Sequence, residues 1–296
     1  EQVHDLAAHY PDGAALAVER PAPNRWRIHA PERAPAIRVT YRLACTSASV
    51  TTNWVGADYA ILNGPATFIT LADAAPSRHE LVVQLPDGWE HVYTGLPAVP
   101  GSSPLRYYAD DFDSLVDAPI VAGRPIRSTF VVDGRRHDLV AVGELADWDN
   151  ERMARDLEQV VRANARLWGD LPYPYYAFLL VFREGGGGLE HANSTLVTAR
   201  PSRVDTPEGY AALLSLASHE FFHAFNVKRL RPRELGPFDY ERPPRTTSLW
   251  QAEGLTCYYT DLLLCRAGLR TPEWLLAMLS DKIAQLQAAP GRLVQT

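Results

Sequence analysis

His219-Glu220-Phe221-Phe222-His223 sets two imidazoles four residues apart with a carboxylate beside the first. On an α-helix, residues four apart lie one above the other, so both rings can turn a nitrogen toward one metal ion. Glu220 sits about 100° further round the same helix, where it reaches a water beside that ion without becoming a ligand. Zinc hydrolases use this spacing. Thirty residues after His223, Glu253 offers a carboxylate on a separate helical pattern. Together the three form a set of two histidines and one acid, with the fourth position left for water. The plainer readings are a core helix with two satisfied histidines and a surface Glu. The apolar residues around Glu253 and the Gly254 that follows it favour an inward-facing acid.

The elements that must carry these groups are legible. Thr206-Pro207-Glu208 reads as a capping hydroxyl, a proline at the first helical position and an acid in the first turn. Behind it Tyr210, Leu213, Leu214, Ala217, Phe221, Phe222 and Phe225 recur at three and four residues, one apolar stripe with the histidines beside it. A second helix is expected from Leu249 to Gly268, and Thr271-Pro272-Glu273 caps a third that reaches Ala288. Between them, Lys228, Arg229 and Arg231 read as a solvated face. Tyr258 and Tyr259, directly after Glu253, read as packing residues.

Upstream, Asn150 to Trp168 is helical in period, with Gly169 at a C′ position. Tyr175 to Phe182 is an unbroken apolar run of buried-strand length, and Ser194 to Ala199 is a further strand. Between the two strands lie Gly185-Gly186-Gly187-Gly188-Leu189-Glu190-His191. Four glycines cost too much conformational entropy to sit idly in a regular element, and no phosphate-binding lysine follows them. They imply a rim where an extended peptide lies close to Gly187 and Gly188, with Glu190 projecting from its end. An exposed turn acid is the alternative for Glu190.

The first half of the chain has strand rather than helix periodicity. Ile37 to Leu43 alternates, and a short segment at Trp26-Arg27-Ile28, then Thr67 to Leu71, Glu80 to Leu85 and Trp89 to Tyr93, are strand candidates. Ile126 to Val132 and Arg136 to Val142 flank Asp133-Gly134 as a hairpin. The chain of 296 residues is long enough for two cores, expected as a β-rich region 1–145 and a catalytic region 146–296. A net charge of -6 supplies no basic stripe for nucleic acid, and no apolar run is long enough to span a bilayer. Cys45, Cys257 and Cys265 form no C-x-x-C pair, which argues against a disulfide framework or a thiolate metal site. The chain begins at Glu1 without a secretion signal, so a leader has been removed or the chain is a cut piece. Compartment, periplasmic or cytoplasmic, stays open, as does oligomeric state.

The strings H-E-F-F-H-A-F-N-V-K-R-L-R-P, L-W-Q-A-E-G-L-T-C-Y-Y and G-G-L-E-H, together with Tyr108 to Pro119, resemble the glycyl aminopeptidase family of gluzincin metallopeptidases. The resemblance implies an α+β multi-domain protein, an N-terminal antiparallel β domain followed by a thermolysin-like catalytic domain. It implies Zn2+ held by His219, His223 and Glu253, with Glu220 as general base. A G-x-M-E-N strand in a related superfamily holds the substrate's free amine, and Gly187-Gly188-Leu189-Glu190-His191 resembles it with Leu for Met and His for Asn. The implied activity is removal of small N-terminal residues, Gly or Ala, from peptides with a free N-terminus. Members commonly carry a C-terminal PDZ domain; the rest of the helical subdomain, that module and an oxyanion-stabilising tyrosine are expected beyond Thr296. A zinc endopeptidase with the same site and a non-catalytic peptide-binding module are the competing readings.

Overall fold

A computed structural model of the chain describes residues 3–31, 36–72, 75–99, 105–145 and 147–294. The first 123 residues build small antiparallel sheets. Val3–His9 pairs with Ala15–Leu16 on one side and Arg38–Leu43 on the other, and Val18–Ala22 pairs with Arg25–Ile28. His79–Val82 pairs with Arg106–Ala109. A four-stranded sheet runs Trp54–Val55, Tyr59–Leu62, Ile120–Gly123, His91–Thr94. The strands expected at Trp26, Ile37, Glu80 and Trp89 therefore form, with ends shifted by a few residues. Thr67 to Leu71 does not form one. Pro65 instead starts the helical turn Gly64–Thr67, and Thr67 turns its hydroxyl back to the Asn63 carbonyl at 2.7 Å.

The second sheet is mixed and five-stranded, in the order Ile126–Val132, Arg135–Gly143, Tyr175–Phe182, Ser194–Ala199, Gly187–Glu190. Its three central strands are parallel and its two outer strands antiparallel. The first hairpin closes on Asp133 and Gly134, both at positive φ, the tight turn that matches strand twist. Hydrogen bonding thus places Ile126–Gly143 in this sheet, paired with strands that follow residue 146. The sequence pattern obscured this because a hairpin alternates in the same way whichever sheet it joins.

The apolar run Tyr175–Phe182 is explained by burial on both faces. Tyr176, Phe178, Leu180 and Phe182 enter a core with the helix Asn150–Trp168 and the helix Pro207–Phe222. Ala177, Leu179 and Val181 enter another core with Ile61 and Val121 of the N-terminal four-stranded sheet. A parallel strand covered on two sides reads as continuous hydrophobicity. The N-terminal region is therefore the second wall of the five-stranded sheet. No helix among the described residues is long and apolar enough to cross a membrane.

Candidate metal and substrate site

Thr206 caps the motif helix by accepting the Gly209 N–H at 3.0 Å, and Pro207 opens it. Tyr210, Leu213, Leu214, Ala217 and Phe221 are buried in the core below, which fixes the helix in rotation. His219 and His223 are thereby held on the flank that faces the edge strand Gly187–Glu190 and the segment carrying Glu253. The helix ends at Phe222, with His223 as its cap residue.

The third group arrives on an irregular turn. Trp250–Gly254 is π-helical, with the Leu255 N–H donating to the Trp250 carbonyl, and it leads into the α-helix Leu255–Arg266. A π-turn inserts one residue into a helix and re-aims the side chains after it. Glu253 sits within it, largely exposed, with Oε2 3.3 Å from His219 Nε2 and 3.6 Å from His223 Nε2. The two Nε2 atoms are 3.1 Å apart. Tetrahedral zinc, with ligand bonds of about 2.0–2.1 Å, holds its donor atoms about 3.3 Å from one another, so these separations fit the ion.

The surrounding hydrogen bonds set the ring chemistry. His223 Nδ1 donates to the Asn226 carbonyl at 3.0 Å, which leaves Nε2 with its lone pair free. Burial and the neighbouring His223 lower the His219 pKa, although Glu253 opposes this. His219 Nε2 and His223 Nε2 both face the point that Glu253 Oε2 also faces. Asn226 ties the two ligand-bearing segments together. Its Nδ2 donates to the Gln251 and Ala252 carbonyls and to Thr256 Oγ1 at 2.9–3.0 Å. Nothing in the sequence pattern marks Asn226, since its partners lie in the next helix.

Glu220 is buried, and its carboxyl is pushed up to about 8 by burial, then by Glu190 and Glu253. Glu190, Glu220 and Glu253 crowd beside the two imidazoles, and a divalent cation held there would bring the raised Glu220 carboxyl down. Glu190, Glu220 and His223 form a second possible donor group, with one atom from each within 4.8 Å of the others. His223 belongs to both sets. The two-histidine set is the better match to zinc, because the other has a single nitrogen donor.

Gly187–Glu190 is the outer strand of the second sheet, paired among the described residues through one side with Ser194–Ala199. Gly188 runs directly across Glu220: a Cβ there would overlap Glu220 Oε1. Gly187, at φ +131°, has open space where a side chain would be. The glycines therefore let backbone pass against Glu220 and leave a strand edge free of side chains, with Glu190 at its end. Of the two tyrosines after Glu253, Tyr259 stacks on Phe222 at 5.5 Å, whereas Tyr258 is half exposed against it. The basic run is not a solvated face throughout. Lys228 is largely buried and bonds to Asp117 at 2.7 Å.

Two family models match this sequence, the M61 glycyl aminopeptidase over residues 212–296 and the peptidase M61 N-terminal domain over residues 1–124. The chain belongs to the M61 glycyl aminopeptidase family. The first match spans His219, Glu220, His223 and Glu253; Glu190 falls between the two. A crystal structure of an aminopeptidase N family protein from Idiomarina loihiensis superimposes with a TM-score of 0.89 at 27% identity, over 98% of this chain and 51% of that one. Aminopeptidase A from Legionella pneumophila, solved with aspartic acid, shares the fold at a TM-score of 0.57 and 14% identity, over 90% of this chain and 34% of that one. The chain thus spans about half the length of the first and a third of the second. No curated protein sequence matches.

Gly188→Ala is expected to displace the Glu220 carboxylate and to slow any reaction in which Glu220 handles a proton by about a hundredfold, the usual scale for an ångström-sized misplacement. A crystal structure and rate of the variant check this; an unmoved carboxylate with a wild-type rate would contradict it.

Proposed function

We propose that this chain carries the active site of a zinc-dependent aminopeptidase, a hydrolase that removes small N-terminal residues such as Gly or Ala from peptides. The observation that supports it best is the convergence of His219 Nε2, His223 Nε2 and Glu253 Oε2 within 3.1–3.6 Å, with buried Glu220 beside them. Zinc, when bound, supplies Lewis acidity to the scissile carbonyl and lowers the pKa of the attacking water to about 7. Glu220 accepts the proton from that water and delivers it to the departing amine. Its burial places this transfer in a low-dielectric setting, where a fixed carboxylate acts without solvent reorganisation.

The edge Gly187–Glu190 takes the substrate as a short added strand, since its outer backbone groups have no partner strand among the described residues. Glu190, at the end of that edge, pairs with the free α-ammonium. This sets the register at one residue from the terminus and separates the aminopeptidase reading from an endopeptidase with the same zinc donors. The proximity of Glu190 to Glu220 and His223 favours it, because an amine held there lies next to the base. The preference for a small first residue comes from membership of the glycyl aminopeptidase family.

Glu220→Gln keeps the size and a hydrogen-bonding group while removing the proton acceptor. Zinc content by elemental analysis is expected to stay at one per chain, with hydrolysis of aminoacyl substrates reduced by about a hundredfold or more. Near-wild-type turnover would remove Glu220 as the base. Glu190→Ala is expected to abolish the preference for free over N-acetylated substrates in a fluorogenic comparison. An unchanged preference would remove Glu190 as the amine anchor and favour the endopeptidase.

A further inference from the structure

The turn after Glu190 is held from outside its own sheet. His191 and Ala192 are the first residues beyond the edge strand, and both bond to one carboxylate of the N-terminal region. Asp117 Oδ1 is 3.2 Å from His191 Nδ1, and Asp117 Oδ2 accepts the Ala192 N–H at 2.9 Å. Lys228, five residues beyond His223, donates to the same Oδ1 at 2.7 Å. Asp117 itself ends the helix Phe112–Val116. Beside it Gly95 packs on Asn193, where a Cβ would come within 3.2 Å of the Asn193 backbone. One side chain therefore touches the segment bearing Glu190, the loop leaving the metal histidines and the N-terminal wall.

The site is built rather than incidental. His191 and Lys228 are largely buried, and Asp117 is three-quarters so. Burial pushes the Asp117 carboxyl up, but the hydrogen bond from His191 and the charges of Lys228 and His191 outweigh this and hold it at about 2. A desolvated ion cluster is weak as a source of stability, because apolar replacements often do as well. Its geometric content is stronger: a carboxylate with both oxygens engaged admits one arrangement of the turn.

We infer that Asp117 is a positioning residue for substrate recognition, fastening the His191–Ala192 turn so that Glu190 is presented to the free amine of a peptide at the zinc site. This makes the N-terminal region a part of the amine-recognition apparatus as well as a wall, and it rests on the reading of Glu190 as the amine anchor. Asp117 touches no substrate; it acts through the backbone that carries Glu190.

The test uses the full chain with glycyl-p-nitroanilide and its N-acetylated counterpart. Asp117→Asn keeps the shape and an oxygen for the Ala192 N–H but loses the charge. It is expected to raise KM for the free-amine substrate about tenfold, with kcat and the blocked substrate little changed, the pattern of a lost ground-state contact. His191→Ala removes the strut without stranding a buried acid, and is expected to shift KM in the same direction. In a Glu190→Ala background, Asp117→Asn should add nothing further to the loss of amine preference. A free-amine KM at the wild-type level in both folded single variants overturns the inference, as does an equal rise for both substrates. Should Asp117→Asn fail to fold, His191→Ala decides alone. Failure of the underlying reading is separate: there, Glu190→Ala by itself leaves the amine preference intact.

Discussion

His219 Nε2, His223 Nε2 and Glu253 Oε2 are held within 3.1–3.6 Å of one another, the donor spacing of a tetrahedral zinc ion. That crowding of electron-rich groups is the constraint on which the rest of the site depends. The capped motif helix, the π-turn at Glu253 and the Asn226 buckle each hold a donor against its neighbours' repulsion. The hydrogen bond from His223 Nδ1 to a backbone carbonyl settles the tautomer that keeps the lone pair pointing inward. Burial, then Glu190 and Glu253, push the Glu220 carboxyl up to about 8, so Glu220 and the acid beside the histidines are electrostatically coupled.

Rigidity for this arrangement comes from the five-stranded sheet. Its central strand alternates Tyr176, Phe178 and Leu180 into the helical core and Ala177, Leu179 and Val181 into the N-terminal core. A strand pinned on both faces cannot slide in register without exposing one set of side chains. The outer strand inherits that register through Ser194–Ala199, which brings Gly188 across Glu220 with no room for a Cβ. The N-terminal region contributes twice, as the second wall of the sheet and as the source of Asp117.

Much of this is legible in the sequence because local rules and tertiary demands agree. The Thr206-Pro207-Glu208 cap, the i, i+4 histidines and the apolar stripe all specify one helix in one orientation, and the structure has it. Glycine at 185–188 announces a close backbone approach, although only the fold reveals that the approached atom belongs to Glu220. The hidden part is non-local. A hairpin at 126–143 carries no mark of which sheet it joins, and Thr67 to Leu71 has the composition of a strand, yet Pro65 starts a helical turn that takes in Thr67. Lys228 sits in an apparently wet basic run, since its partner Asp117 lies 111 residues away. The π-turn at Glu253 depends on the hydrogen bonds of Asn226 to Gln251 and Ala252, a contact that periodicity does not encode.

The most direct test of the central claim is anomalous diffraction at the zinc edge from crystals of the metal-replete protein. The account predicts one peak within about 2.0–2.2 Å of His219 Nε2, His223 Nε2 and a Glu253 oxygen. A peak held instead by Glu190, Glu220 and His223, or none at all with the three groups turned apart, would contradict it.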